Sequence, residues 1–221
     1  MATISAVDRQ RFVRAEELAG IVFPGVLWWT GGRVVERDSR LDPLLAEVER
    51  RVRAEPPDER ISVRTMYKRL GLDPTKTRPS NEALLRRVRK GLSLPRVNSL
   101  VDVINWCSVE FQLPYGLYDH RQIEGPIELR LGREGEEYAG IRKDTVHVAG
   151  RIALVDSAGP FGNPTSDSAR TMVTVATTEA MVVVFAPVDV SRARLTEVLD
   201  ATATRMRDIA GGEETGRLIC T

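Results

Sequence analysis

The chain has 221 residues, 42% of them hydrophobic and 29% charged, with a formal net charge of +1. This is the composition of a soluble globular protein, either one large domain or one domain with an N-terminal extension, and its bulk charge argues for no particular partner. The longest apolar runs, such as Met181 to Pro187, are too short to cross a bilayer, the first twenty residues hold no apolar signal core, and two cysteines, Cys107 and Cys220, make neither a disulfide framework nor a metal spacing. A cytoplasmic protein without a membrane segment, metal or cofactor is expected.

The first notable residues in chain order are Trp28 and Trp29. They lie in an apolar run and read as core or interface. Residues 41–54, LDPLLAEVERRVRA, form an amphipathic pattern that predicts a helix. Asp42 is its expected N-cap and Pro43 its first helical residue, where the missing N–H costs nothing. Pro56 and Pro57 break the chain. A short helix is predicted from Ser62 to Leu70, stopped by Gly71, and LDPTKTRPSN is a polar loop. Ser80 is the expected cap of the next helix, NEALLRRVRK, in which Leu84, Leu85 and Val88 make one apolar stripe and Gly91 marks the end.

A further helix is predicted from Asn98 to Phe111. Leu100, Val103, Ile104, Cys107 and Phe111 fit helical spacing, and the polar Asn105 lies one position off that stripe. QLPYGLYDH reads as a turn. Beyond it, PIELRL, TVHVAG, RIALVD, TMVTVAT and AMVVVFA are short β-branched runs that predict strands. A last helix spans Ser191 to Ile209, ended by Gly211 and Gly212. Helices first and strands later predict an α+β fold. The turn-rich stretch GPFGNPTSDSART is the kind of loop that carries function.

Charge is unevenly placed. Residues 60–96 carry eleven Lys and Arg against Asp73 and Glu82, inside a nearly neutral protein. Such a segment suits contact with phosphates, and a solvated helical face is the competing reading. Familiar catalytic patterns are missing: no GxxxxGK[ST], no GxGxxG after a strand, no HExxH and no GxSxG. Of the two histidines, His147 reads as an ordinary strand side chain and His120 as exposed after a turn. Cys107 reads as a packed thiol.

Three blocks together carry a resemblance. They are LGLDPTKTRPSNEALLRRV (Leu70 to Val88), RVNSLVDVINW (Arg96 to Trp106) and LPYGLYDHRQIEG (Leu113 to Gly125), followed by the looser SDSARTMVTVATTEAMVVVFA. In combination they resemble the tRNA-binding "B-three/B-four" domain, the editing module of the bacterial phenylalanyl-tRNA synthetase beta subunit, which also occurs as a free-standing protein. The resemblance covers roughly residues 60–210. It implies an α+β fold with a mixed or antiparallel sheet flanked by helices. It divides the chain into an N-terminal extension, 1–59, packed on an editing-like domain, 60–221.

The resemblance also implies a site. The synthetase domain hydrolyses the ester joining a wrong amino acid to tRNA. Its substrate-contacting asparagine falls on Asn105, and its acidic loop falls near Thr165, Ser166 and Asp167, so Asn105 and Asp167 are the expected catalytic residues. A buried structural Asn and a surface-turn Asp are the competing readings. Asn98, Pro114, Tyr115, Gly116, Ser166 and Thr171 are expected around the amino acid. Lys76, Arg78, Arg86, Arg87, Arg89, Lys90 and Arg96 are expected on tRNA phosphates. DNA is not an expected partner. The family's editing histidine falls on Gly116 and is absent, a change expected to enlarge the pocket. Three functions stay open: a deacylase, a non-catalytic module binding tRNA or an amino-acid-like molecule, and a basic face docking an acidic protein.

Overall fold

The computed structural model describes residues 11–54, 63–141 and 145–220. Arg60 and the predicted helix start at Ser62 lie outside the described residues. The elements are β1 (Phe12–Arg14), β2 (Val22–Thr30), α1 (Leu41–Ala54), α2 (Val63–Arg69), α3 (Ser80–Arg89), α4 (Ser99–Phe111), β3 (Tyr115–Asp119), β4 (Ile127–Leu131), β5 (Glu137–Ala139), β6 (Thr145–His147), β7 (Ile152–Asp156), β8 (Gly159–Gly162), β9 (Glu179–Pro187), α5 (Arg192–Ala210) and β10 (Glu213–Ile219).

The fold is α+β, with two four-stranded sheets. One is antiparallel throughout, in the order β10-β2-β9-β3. The other, β1-β4-β7-β8, is mixed, because β1 runs parallel to β4. Strands β5 and β6 pair antiparallel as a separate two-stranded sheet. The centre of the molecule is the β2–β9 pair, in register from Val22 opposite Pro187 to Thr30 opposite Glu179. Nearly every residue of β9 is buried, so its sequence reads as a continuous apolar run, as a strand covered on both faces should. On one face lies α5: Gly25 leaves only 3.1 Å between a would-be Cβ and the Leu195 and Leu199 methyls. Helix α4 packs beside α5 and over β3, and α1 and α3 close over α4. Trp28 and Trp29 are core residues. The segment before residue 60, expected as a packed extension, supplies β1, α1 and the interior strand β2 of the main sheet.

Helix boundaries follow the expected signals. Gly71 and Gly91 follow α2 and α3 with φ of 69° and 81°. Ser191 caps α5 by accepting the Arg194 N–H at 3.1 Å. Four local expectations are corrected. Asp42 is not the cap of α1. It sits inside the first turn, where Arg37 and Arg96 claim its carboxylate. Ser80 is the first residue of α3 rather than its cap, and its Oγ is buried without a hydrogen-bond partner among the described residues. QLPYGLYDH contains strand β3 and not only a turn. TMVTVAT is irregular: the Thr177 hydroxyl takes the Thr174 N–H at 3.0 Å, the Thr174 hydroxyl takes the Ala176 N–H at 3.2 Å, and the hydroxyls thereby replace a strand ladder.

Candidate functional site

Beyond the β3 edge of the main sheet lies a cavity of about 630 Å³, a size that suits a small molecule. Four pieces of chain supply most of its lining. Helix α4 contributes Val101, Ile104, Asn105 and Ser108, spaced i, i+3, i+4 and i+7, which is one helical face. The alternation of β3 turns Tyr115 and Leu117 inward. Ser80 and Leu84, one turn apart on α3, form a wall. The loop after β8 supplies Asp167, Ala169, Met172 and Val173, and Ile141 completes the lining. Among the lining residues, Val97, Ile141 and Met172 stay 48%, 37% and 39% exposed, so an apolar rim surrounds the opening.

The sequence folds this way for local reasons. Asn98 caps α4: its side-chain oxygen accepts the Val101 N–H at 2.9 Å while its amide reaches the Val173 carbonyl at 3.2 Å. One residue thus starts the helix and ties it to the far wall of the cavity. The loop is held by backbone bonds on three sides. Ile141 N–H donates to the Asp167 carbonyl, Ser168 N–H to Phe161, and Asp119 N–H to Thr171. At its tip, the Asn163 side chain accepts the N–H groups of Thr165 and Ser166 at 2.8 and 2.9 Å, a compact turn that presents the next residue, Asp167.

Both expected catalytic residues therefore face one cavity, although they stand 62 positions apart in the chain. The Asn105 side chain makes no hydrogen bond among the described residues, so its amide is available to a ligand. Asp167 accepts the Tyr118 hydroxyl at 2.7 Å. The Tyr138 hydroxyl lies close by and donates to the Ser166 carbonyl at 2.5 Å while accepting from Asn163. Burial, and next the Asp167 charge, push the pKa of both phenols upward, so each keeps its proton and serves as a neutral donor.

The remaining expected residues divide. Tyr115 lines the cavity, with its hydroxyl 3.1 Å from that of Thr202. Pro114, Asn98, Ser166 and Thr171 frame the site without lining it. The Pro114 carbonyl accepts from Phe185, and Thr171 is fully buried beside Ser168. Gly116 does not enlarge the cavity. Its would-be Cβ points behind β3, into the Tyr118 ring, with the hydroxyl oxygen 2.1 Å away. Neither histidine lines the cavity. His147 is exposed beside Glu137, whereas His120, expected to be exposed, is largely buried, and that burial lowers its pKa.

Of the expected phosphate contacts, Arg86, Lys90 and Lys76 are exposed, and Arg78 is partly so; none of the four has an ion-pair partner among the described residues. Arg87 lies in the row of Ser80 and Leu84 and folds over the end of α3 to the Ser93 carbonyl at 2.5 Å. Arg89 is exposed on the face of α3 turned towards α1. Arg96 is tied into the fold. It grips the fully buried Asp102 at 2.6 Å and also bonds Asp42 and the Asp38 carbonyl at 3.0 Å. Tyr118, Tyr138 and Asn163 surround Asp167 and its loop, and no sequence motif marks them. The alternation in YGLY, which sets Tyr118 back to back with the lining residues, was the available signal.

A sequence model described as the B3/4 domain matches residues 62–207. A phenylalanine–tRNA ligase beta subunit from Paramagnetospirillum magneticum is 30% identical over 70 residues, which cover 31% of this chain and 9% of that protein. The solved N-terminal fragment of the phenylalanyl-tRNA synthetase beta-subunit from Pyrococcus horikoshii shares the fold, with a TM-score of 0.52 at 13% identity over 100% of this chain and 56% of the fragment. The chain thus spans only part of either relative. Every residue lining the cavity lies inside the matched span, and the chain belongs to the B3/4 domain family.

Proposed function

We propose that the cavity receives the aminoacyl end of a tRNA and that the protein, acting in trans, hydrolyses the ester of a mispaired amino acid. The observation that carries this is the convergence of Asn105 and Asp167 on one largely apolar cavity of substrate size. An aminoacyl ester is already activated, so positioning and charge stabilisation suffice. In this reading Asp167 accepts a proton from water as the water oxygen bonds to the carbonyl carbon. The Asn105 amide donates to the developing oxyanion. The bond to the ribose oxygen then breaks, and that oxygen takes the proton. The apolar walls hold the amino-acid side chain. Arg86 and Arg87, on the helix that walls the cavity, and Lys90, at its C-terminal end, meet phosphates.

The test is release of amino acid from a panel of mischarged tRNAs. Release above the uncatalysed rate is expected with at least one of them, and Asp167→Asn should reduce it at least a hundredfold. No release with any member of the panel would sink the reading.

A second reading is favoured by the Tyr118 ring at residue 116: with no imidazole at the cavity, the site binds its ligand without turnover. Salt-dependent tRNA binding that leaves the ester intact distinguishes this reading from the first.

A further inference from the structure

We infer that Tyr118 is the positioning residue of this site, holding the Asp167 carboxylate from behind the cavity wall, and that Gly116 and Gly162 are glycines in order to seat it. The inference rests on the proposal that Asp167 serves the ligand.

Strand alternation directs Tyr115 and Leu117 into the cavity and leaves Gly116 and Tyr118 on the opposite side of β3. The Tyr118 ring is fully buried and meets Phe161 edge-on, with centroids 5.1 Å apart and planes at 90°. A Cβ at Gly116 would stand 2.1 Å from the Tyr118 oxygen, and one at Gly162 would stand 2.3 Å from it. Neither glycine has a positive φ, so backbone conformation does not require it, and space for the ring does. The two glycines lie on β3 and β8, from different sheets, and both are cleared around the same hydroxyl.

Packing alone does not explain the hydroxyl. A phenylalanine would fill the same volume without burying a polar atom. The backbone of Asp167 is already held, by the Ile141 N–H to its carbonyl and by a bridge to Gly162. The phenol meets the carboxylate itself, at 2.7 Å. As a neutral donor the phenol fixes the rotamer without placing a positive charge against the carboxylate, as a lysine or arginine in that place would.

A double-mutant cycle of Tyr118→Phe and Asp167→Asn tests the inference, with thermal unfolding confirming that each variant folds. In deacylation of mischarged tRNA, Tyr118→Phe is expected to lower kcat roughly tenfold with KM within about twofold, and to have no further effect once Asp167 is Asn. If the wild type deacylates nothing, the hydrolytic proposal fails, and the cycle is read instead in Kd for amide-linked aminoacyl-adenosines carrying phenylalanine, leucine and alanine. Coupling of the same kind in Kd upholds the positioning role. Wild-type kcat and Kd in Tyr118→Phe, multiplicative effects of the two substitutions, or no binding of any analogue by the wild type would overturn it. A fall in Tm alone would assign Tyr118 to the core.

Discussion

Three residues in this site carry meanings that their identities alone do not reveal. Asn98 and Asn105 lie seven positions apart on one helix. The first is consumed by capping and by the Val173 carbonyl, and the second is open to the cavity. Gly116 reads as a deletion of function and is in structure a seat for Tyr118. Gly116→His therefore restores no site histidine: the new side chain starts inside a buried ring, on the wrong side of β3. We expect overpacking to cost about 1–3 kcal/mol, seen as a lower Tm, with no gain in deacylation. A gain in rate at unchanged stability would show that the side chain reaches the cavity by another path.

At the scale of elements, α4 does two jobs with two faces. Leu100, Val103 and Cys107 pack inward, while Val101, Ile104, Asn105 and Ser108 line the cavity. The β4–β5 connection makes a testable electrostatic unit. Arg130 of β4 grips both oxygens of Glu136 at 2.8 and 2.7 Å and is itself buried. The Arg130 hydrogen bond is the largest cause holding the Glu136 pKa down, from 4.5 to about 2. A carboxylate whose folded pKa is depressed stabilises the fold above its unfolded pKa and loses that contribution as pH falls through the folded one. The stability advantage of wild type over Glu136→Gln should thus be full above pH 4.5 and shrink towards pH 2. A Tm difference constant across that range would contradict the pairing.

At the scale of the whole molecule, charge placement separates surface from scaffold. Arg96 and Arg86 fall in the same basic segment, yet Arg96 neutralises the fully buried Asp102 while Arg86 and Lys90 face solvent. Arg96→Ala leaves a buried carboxylate unpaired and should cost roughly 3–5 kcal/mol in unfolding free energy. The pair Arg86→Glu and Lys90→Glu should leave Tm nearly unchanged while weakening tRNA binding. The slope of log affinity against log salt should fall by about one unit per cation removed. Unchanged tRNA affinity would instead favour an acidic protein as the partner of this face.

The fold class was legible because periodicity and end signals are local. Helices α1 to α5 and strands β4, β7 and β9 follow from apolar spacing, Gly71, Gly91 and Ser191. The family was legible because three blocks between Leu70 and Gly125 occur in order. What escaped was non-local. TMVTVAT has strand composition, but its threonine hydroxyls bond its own backbone. Residues before 60 lie outside the recognised blocks, but β2 is interior because β9 and β10 pair on either side of it. The candidate site shows the same division. Sequence determined which residue types stand at 105 and 167. Only tertiary structure decided that both face one cavity, that Arg96 belongs to the scaffold, and that Tyr118 fills the space beside Gly116. Those facts depend on distances between segments far apart in the chain, which no local pattern encodes.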